Sequence, residues 1–149
     1  MPAPTFVQEA ETVWNSSTTP KTTASFSVVA NDVLVAFSIA ETNDEALSVA
    51  GGSLTWTERQ QVNVLDYTRV YIWTAVVDAD KSMTVAFTNV PAGDNFFGGN
   101  VLTFRSSDGV GASAKTNVAD GAPTLDLTTT QANSAIIVAN GDWNAADGA

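Results

Sequence analysis

In residues 23–41, TASFSVVANDVLVAFSIAE, apolar side chains first alternate with polar ones and then fill a segment almost without interruption. Alternation at period two marks a strand with one wet face, and a short continuous apolar run fits a strand covered on both faces. The stretch therefore predicts two strands about the turn Ala30-Asn31-Asp32, the second of them, Val33 to Ile39, covered on both sides. Further on, Leu54 and Trp56 alternate with Thr55 and Thr57. Beyond a short tip, Tyr71, Trp73 and Ala75 share one face of the next strand, and Val70, Ile72, Thr74 and Val76 the other. Met83, Val85 and Phe87 alternate again. NVPAGDN breaks the chain at Pro91 and Gly93. FFGGNVLTFR follows, and its glycines signal a bulge or a close backbone approach. DGVGASAKTNVADGAP reads as a long loop, and PTLDLTTT and NSAIIVANGDW as the last strands. About nine short strands with turn signals between them, and no helical period, predict an all-β fold, an antiparallel β-sandwich of jelly-roll-like form.

An internal echo adds one expectation. TTASFSVVANDVLVAFSIAE resembles APTLDLTTTQANSAIIVANGDW: an alternating strand, an Asn-containing turn, then an apolar strand. The first copy is followed by the Trp hairpin, whereas the second is followed by NAADGA. At 149 residues one domain, residues 1–149, is expected, with residues 1–21 as an N-terminal arm or first strand. The unfinished second copy leaves that domain either C-terminally incomplete or completed by a neighbouring subunit along SAIIVAN, since long apolar edges template aggregation when left open.

Composition narrows the function classes. Sixteen acidic and six basic residues give a net charge of -10. Lys21, Arg59, Arg69, Lys81, Arg105 and Lys115 lie far apart and form no basic stripe, which excludes nucleic acid as a partner. The acidity reads as solubility and mutual repulsion. The chain has no Cys and no His, which removes disulfides, thiolate nucleophiles, Cys/His zinc sites and His-based triads. No stretch approaches the ~20 apolar residues that span a bilayer, so no membrane insertion is expected. The N-terminus has neither the basic nor the apolar region of a signal peptide. Asn15-Ser16-Ser17 matches a glycosylation sequon and reads as loop chemistry.

Candidate chemistry is sparse. Carboxylate pairs such as Glu58 with Asp66, or Asp78 with Asp80, could serve a glycosidase, but no pattern of charged neighbours surrounds them, and no catalytic residue is assigned. Asp78-x-Asp80 and the Glu41 to Glu45 stretch carry oxygen ligands of the calcium type without an EF-hand run; neither a metal nor a cofactor is expected. Gly98-Gly99-Asn100 lacks the Lys-Ser/Thr and the helix of a phosphate loop. Trp56, Trp73, Tyr71 and Phe87 fall at core positions of strong strands, while Trp14 and Trp143 lie near loops and are freer to serve as sugar platforms. The tip between the two Trp strands is apolar where turn residues are the rule. Leu65, Asp66, Tyr67 and Arg69 are therefore the candidate contact surface, with Phe96 and Phe97 of the 91–97 loop as a second one.

The order of Leu54-Thr55-Trp56-Thr57, Tyr71 to Ala75, Thr84-Val85-Ala86-Phe87, Val101 to Gly111 and Thr129 to Ala139 resembles a domain that recurs in phage tail and other virion proteins and in some bacterial surface proteins. The matches cover most of the chain from Thr22 onward. The chain departs from the pattern at the apolar tip and at Phe96-Phe97, where smaller residues are usual. The resemblance implies a β-sandwich, a structural or adhesive role and no shared enzymatic activity, and no functional residue carries over from it. The expected function is a non-enzymatic virion protein, made in the host cytoplasm and reaching the surface by assembly and lysis: a minor tail or tail-fibre-like component. A capsid decoration or head-fibre protein is the first alternative and a carbohydrate-binding adhesin module the second. The expected partners are other virion proteins and further copies of the chain, with a host surface glycan as the alternative.

Overall fold

The structure, a computed structural model, describes residues 3–16, 20–41, 46–64, 68–90, 96–118 and 121–141. Among these residues ten strands carry the fold: β1 (Thr5–Glu11), β2 (Lys21–Thr22), β3 (Phe26–Val28), β4 (Val33–Glu41), β5 (Ala46–Gly51), β6 (Thr57–Val64), β7 (Thr68–Val76), β8 (Lys81–Met83), β9 (Val85–Val90) and β10 (Phe97–Arg105). Among the described residues there is no helix.

All the pairings are antiparallel. The large sheet runs β1-β10-β4-β7-β6, and facing it lie β2-β9-β5 and β3-β8. The β2/β3 and β8/β9 pairs are two halves of one ladder. Thr23 bridges them, its N–H donating to Val85 O and its hydroxyl accepting from Val85 N. Each half counts with its continuation as one strand. The large sheet then holds the first, eighth, third, sixth and fifth strands, and the small layer the second, seventh and fourth. That is the interleaving of a jelly roll with one change. The fifth strand, β6, stays hairpinned to β7 instead of closing the small sheet. The short β5–β6 connection carries the chain across, through positive φ at Gly52 (61°) and Ser53 (54°).

The core lies between the layers. Leu34, Ala36, Ala40, Tyr71, Trp73, Phe97 and Val101 from the large sheet meet Phe26, Val28, Leu47, Met83, Val85 and Phe87 from the small one. Tyr71 and Trp73, two apart on β7, stack at 5.0 Å and 6°, and Trp73 reaches Phe87 across the gap at 6.4 Å. Gly99 makes that approach possible, since a Cβ there would stand 2.7 Å from the Phe87 ring. The glycine signal in FFGGN thus marks a close approach, as its sequence suggests. Gly99→Ala is expected to cost about 1–3 kcal/mol through overpacking; an unchanged denaturant midpoint would show that the ring can give way.

Two expected strand regions need correction. The LTWT segment is not a strand throughout: β6 begins at Thr57, and Leu54 and Trp56 belong to the turn before it, where Leu54 N–H donates to Gly51 O. Positive φ at two successive residues turns the chain there instead of extending it. Trp56 still packs against the core, half-buried, its indole N–H donating to Gly51 O at 3.3 Å. The second correction is larger. Residues 123–130 and 134–141 form no strand, so the internal echo has no structural counterpart among the described residues. A strap lying across a sheet face shows the same alternation as a strand in a ladder, because both have one dry side; the pattern fixes a dry side and leaves the hydrogen-bond partner open.

Candidate functional site

The apolar tip, Leu65, Asp66 and Tyr67, lies outside the described residues, as do Trp143 and the 91–95 part of the second candidate loop. Arg69 is described: it pairs with Ala40, a core residue, and is half-buried on the inward side of the sheet. Phe96 and Phe97 separate. Phe96 is 44% exposed and Phe97 only 1%, because successive strand residues point to opposite faces. Phe97 is therefore a core residue and not a contact residue. Of the acids weighed for calcium, Asp78 pairs with Lys81 and Asp80 accepts from Ala30 N at 2.8 Å, while residues 42–45 of the Glu41 to Glu45 stretch lie outside the described residues. Among the described residues no group of three acidic side chains converges.

At the start of β4 sits a charged corner that the sequence reading missed. Asp32 has no exposed surface. Arg105 approaches it in a two-pronged pair, Nε to Oδ1 at 2.8 Å and Nη2 to Oδ2 at 2.9 Å, while Val29 N donates to Oδ2 at 3.0 Å. The Arg105 hydrogen bond, against the opposing effect of burial, holds the Asp32 carboxyl below its ordinary value. The pair staples the β3–β4 corner to the end of β10. Seventy-three positions separate the two residues, so no local signal could have joined them.

Two features face outward. The first is the strap that follows β10. Val33, Val35, Val70 and Phe104 point away from the small sheet yet are buried. Part of their cover is the C-terminal stretch, for a Cβ on Gly141 would lie 2.6 Å from Val70 and 3.3 Å from Ile39. Ile137, Ala139 and Gly141 are half-buried, and alternating with them Ile136 (57%) and Val138 (69%) are exposed. Earlier in the strap, Ser113, Lys115 and Asn117 donate to the carbonyls of Arg59, Gln61 and Asn63 at 3.4, 3.1 and 3.2 Å. The pairing keeps a constant separation of fifty-four residues, so the strap runs parallel to the β6 edge. It covers that edge with side chains instead of a backbone ladder.

The second feature is a cleft of about 640 Å³ between the N-terminal segment and the large sheet, lined among others by Glu11, Trp14, Phe37, Ile39, Gly98 and Asn100. The segment beside it is clamped at both ends. Thr12 Oγ1 accepts from Gly99 N at 2.9 Å, and Thr12 N donates to Gly99 O at 2.9 Å. Buried Lys21 donates to Asn15 O and to Asn15 Oδ1 (2.5 Å) and sits 4.5 Å from the Phe97 ring centre. The Asn15 side chain of the sequon is thus engaged in the fold. Between the clamps Trp14 lies against Gly98, where a Cβ would stand 3.1 Å from its ring, and remains 49% exposed. Its position near a loop hinted at this freedom; the glycine beneath it did not show in the sequence.

Comparisons with protein-family models, with curated proteins and with solved structures return no match.

Proposed function

We propose that the chain is a non-enzymatic structural component of a phage particle, of the minor tail or tail-fibre-like kind, exposed at the particle surface. The observation that carries this reading is the strap. A jelly-roll-like sandwich already has its core, yet the chain after β10 runs along β6 at Ser113 to Asn117, lies on the outer face at Gly141, and turns two apolar side chains, Ile136 and Val138, to solvent. Apolar side chains turned to solvent side by side on an added segment fit a contact with another protein. The segment order that resembles virion domains supports the same reading. Peptide mass spectrometry of purified particles and cryo-EM of the same particles test it: the chain is expected in the virion, repeated on the tail. Its absence from clean particles would overturn the reading, and density on the capsid would make it a decoration protein.

The strap also yields a prediction of assembly. Ile136→Ser with Val138→Ser is expected to leave the unfolding midpoint within experimental error, since both side chains face solvent. It should weaken association with further copies or a virion neighbour by about 2–4 kcal/mol, the range of a central contact. Sedimentation and particle incorporation read this directly. Unchanged incorporation would place the contact elsewhere.

A further inference from the structure

We propose that the cleft beside Trp14 is a binding site for a neutral hexopyranose unit of a glycan. Trp14 is not a core residue left over at the surface. Its segment is fixed by Thr12 on one side and by Lys21 on the other, and its ring rests on a glycine, with half of its surface open. A large aromatic held in place at low entropic cost is a contact device. Phe37 and Ile39, half-buried on the same face of β4, continue the apolar lining. The C–H face of a pyranose fits such a wall and floor.

The polar groups choose the ligand class. Asn100 Nδ2 donates to Glu9, which leaves Asn100 Oδ1 to accept, and the exposed carboxylate of Glu11 lies in the same lining. These two groups offer acceptors, and sugar hydroxyls supply donors. The nearest cation, Lys21, is turned onto the carbonyl oxygens of the clamp. With Glu11 in the lining, Glu9 bonded to Asn100 behind it and a net charge of -10, a uronic or sialic acid would meet repulsion, so a neutral sugar is selected. The volume falls within the span of small-ligand clefts, about 300–1,000 Å³. The proposal holds for a tail, capsid or adhesin location alike.

The test is an array of neutral and acidic oligosaccharides probed with the full chain, followed by titration calorimetry with the retained sugars. The expected result is retention of neutral hexose glycans with roughly millimolar to micromolar affinity and no retention of acidic ones. Trp14→Ala should weaken binding at least about tenfold, the loss of a central aromatic contact, while keeping the wild-type unfolding midpoint. Glu11→Ala, a fully surface change, should weaken it several-fold. No neutral glycan bound at about 10 mM, acidic glycans preferred, or affinity unchanged in both variants overturns the proposal, as does unfolding of Trp14→Ala with normal binding by Glu11→Ala. None of these results moves the density seen in particles, so a failed glycan site and a failed virion reading are told apart.

Discussion

Trp73→Ala is expected to lower the unfolding free energy by about 3–5 kcal/mol, the cost of emptying a buried aromatic position. Trp73 is the hinge of the aromatic row: it stacks on Tyr71 along its own strand and reaches Phe87 in the opposite sheet. Its removal opens a cavity bounded by both sheets, and neither can collapse into it without shifting β10, where Gly99 already lies against the Phe87 ring. Trp56→Ala should cost less, because Trp56 is half-buried and belongs to a turn. Equilibrium unfolding in urea of both variants gives the comparison. Equal losses would show that Trp56 is as deeply integrated as Trp73, and near-wild-type stability of Trp73→Ala would refute the inter-sheet core as drawn.

Arg105→Ala is expected to cost about 3 kcal/mol at neutral pH, the lower end of the range for orphaning a buried charge. The lower end applies because the Arg105 side chain is 45% exposed and the pair lies at the boundary of the fold. What makes the loss large is Asp32, which is left without solvent and with the Val29 N–H still donating to it. The pH dependence separates this from simple loss of packing. In the wild type the Asp32 carboxyl titrates below its unfolded value. Its contribution is complete above about pH 4, the ordinary carboxylate range, and disappears as the pH falls through the lowered folded value. In Arg105→Ala the cause of the lowering is gone and burial pushes the carboxyl upward, so the deficit of the variant should shrink as the pH is lowered towards 4. Urea midpoints of both proteins between pH 4 and 8 test it. A deficit independent of pH would assign the loss to packing alone.

Where period two met a ladder, the sequence was readable. Val33 to Ala36 is covered on both faces while Phe37 and Ile39 beyond it are only half-buried on the outer one, Tyr71 and Trp73 share the core face, and Met83, Val85 and Phe87 line the opposite layer. The turn at Asn31 (φ 70°) is also written locally, and it carries the chain from the small layer to the large sheet. What the sequence left open has a common physical cause: it depends on pieces far apart in the chain. Asp32 finds Arg105 through the tertiary fold. Phe97 turns inward and Phe96 outward because the strand begins at Phe97 and pairs with Ala40, a register that no local pattern fixes. The dry sides of residues 134–141 were visible, but they fall on the face of a sheet and not in a ladder. The cleft needs Trp14 from near the start of the chain and Gly98 from β10, far along the sequence, and an isolated Trp gives no sign of which glycine it will rest upon.

The ladder of Ser113, Lys115 and Asn117 on β6 has a mechanical consequence. A backbone-paired strand comes away all at once, since each peptide bond shares its alignment with the next. Here each rung is one side chain on one carbonyl, worth about 1 kcal/mol, and the rungs open singly. Under tension the strap would peel off gradually, like a seam with separate stitches, while the ten-strand body keeps its own hydrogen bonds. A segment held this way can yield in small steps and reseat when the load is gone.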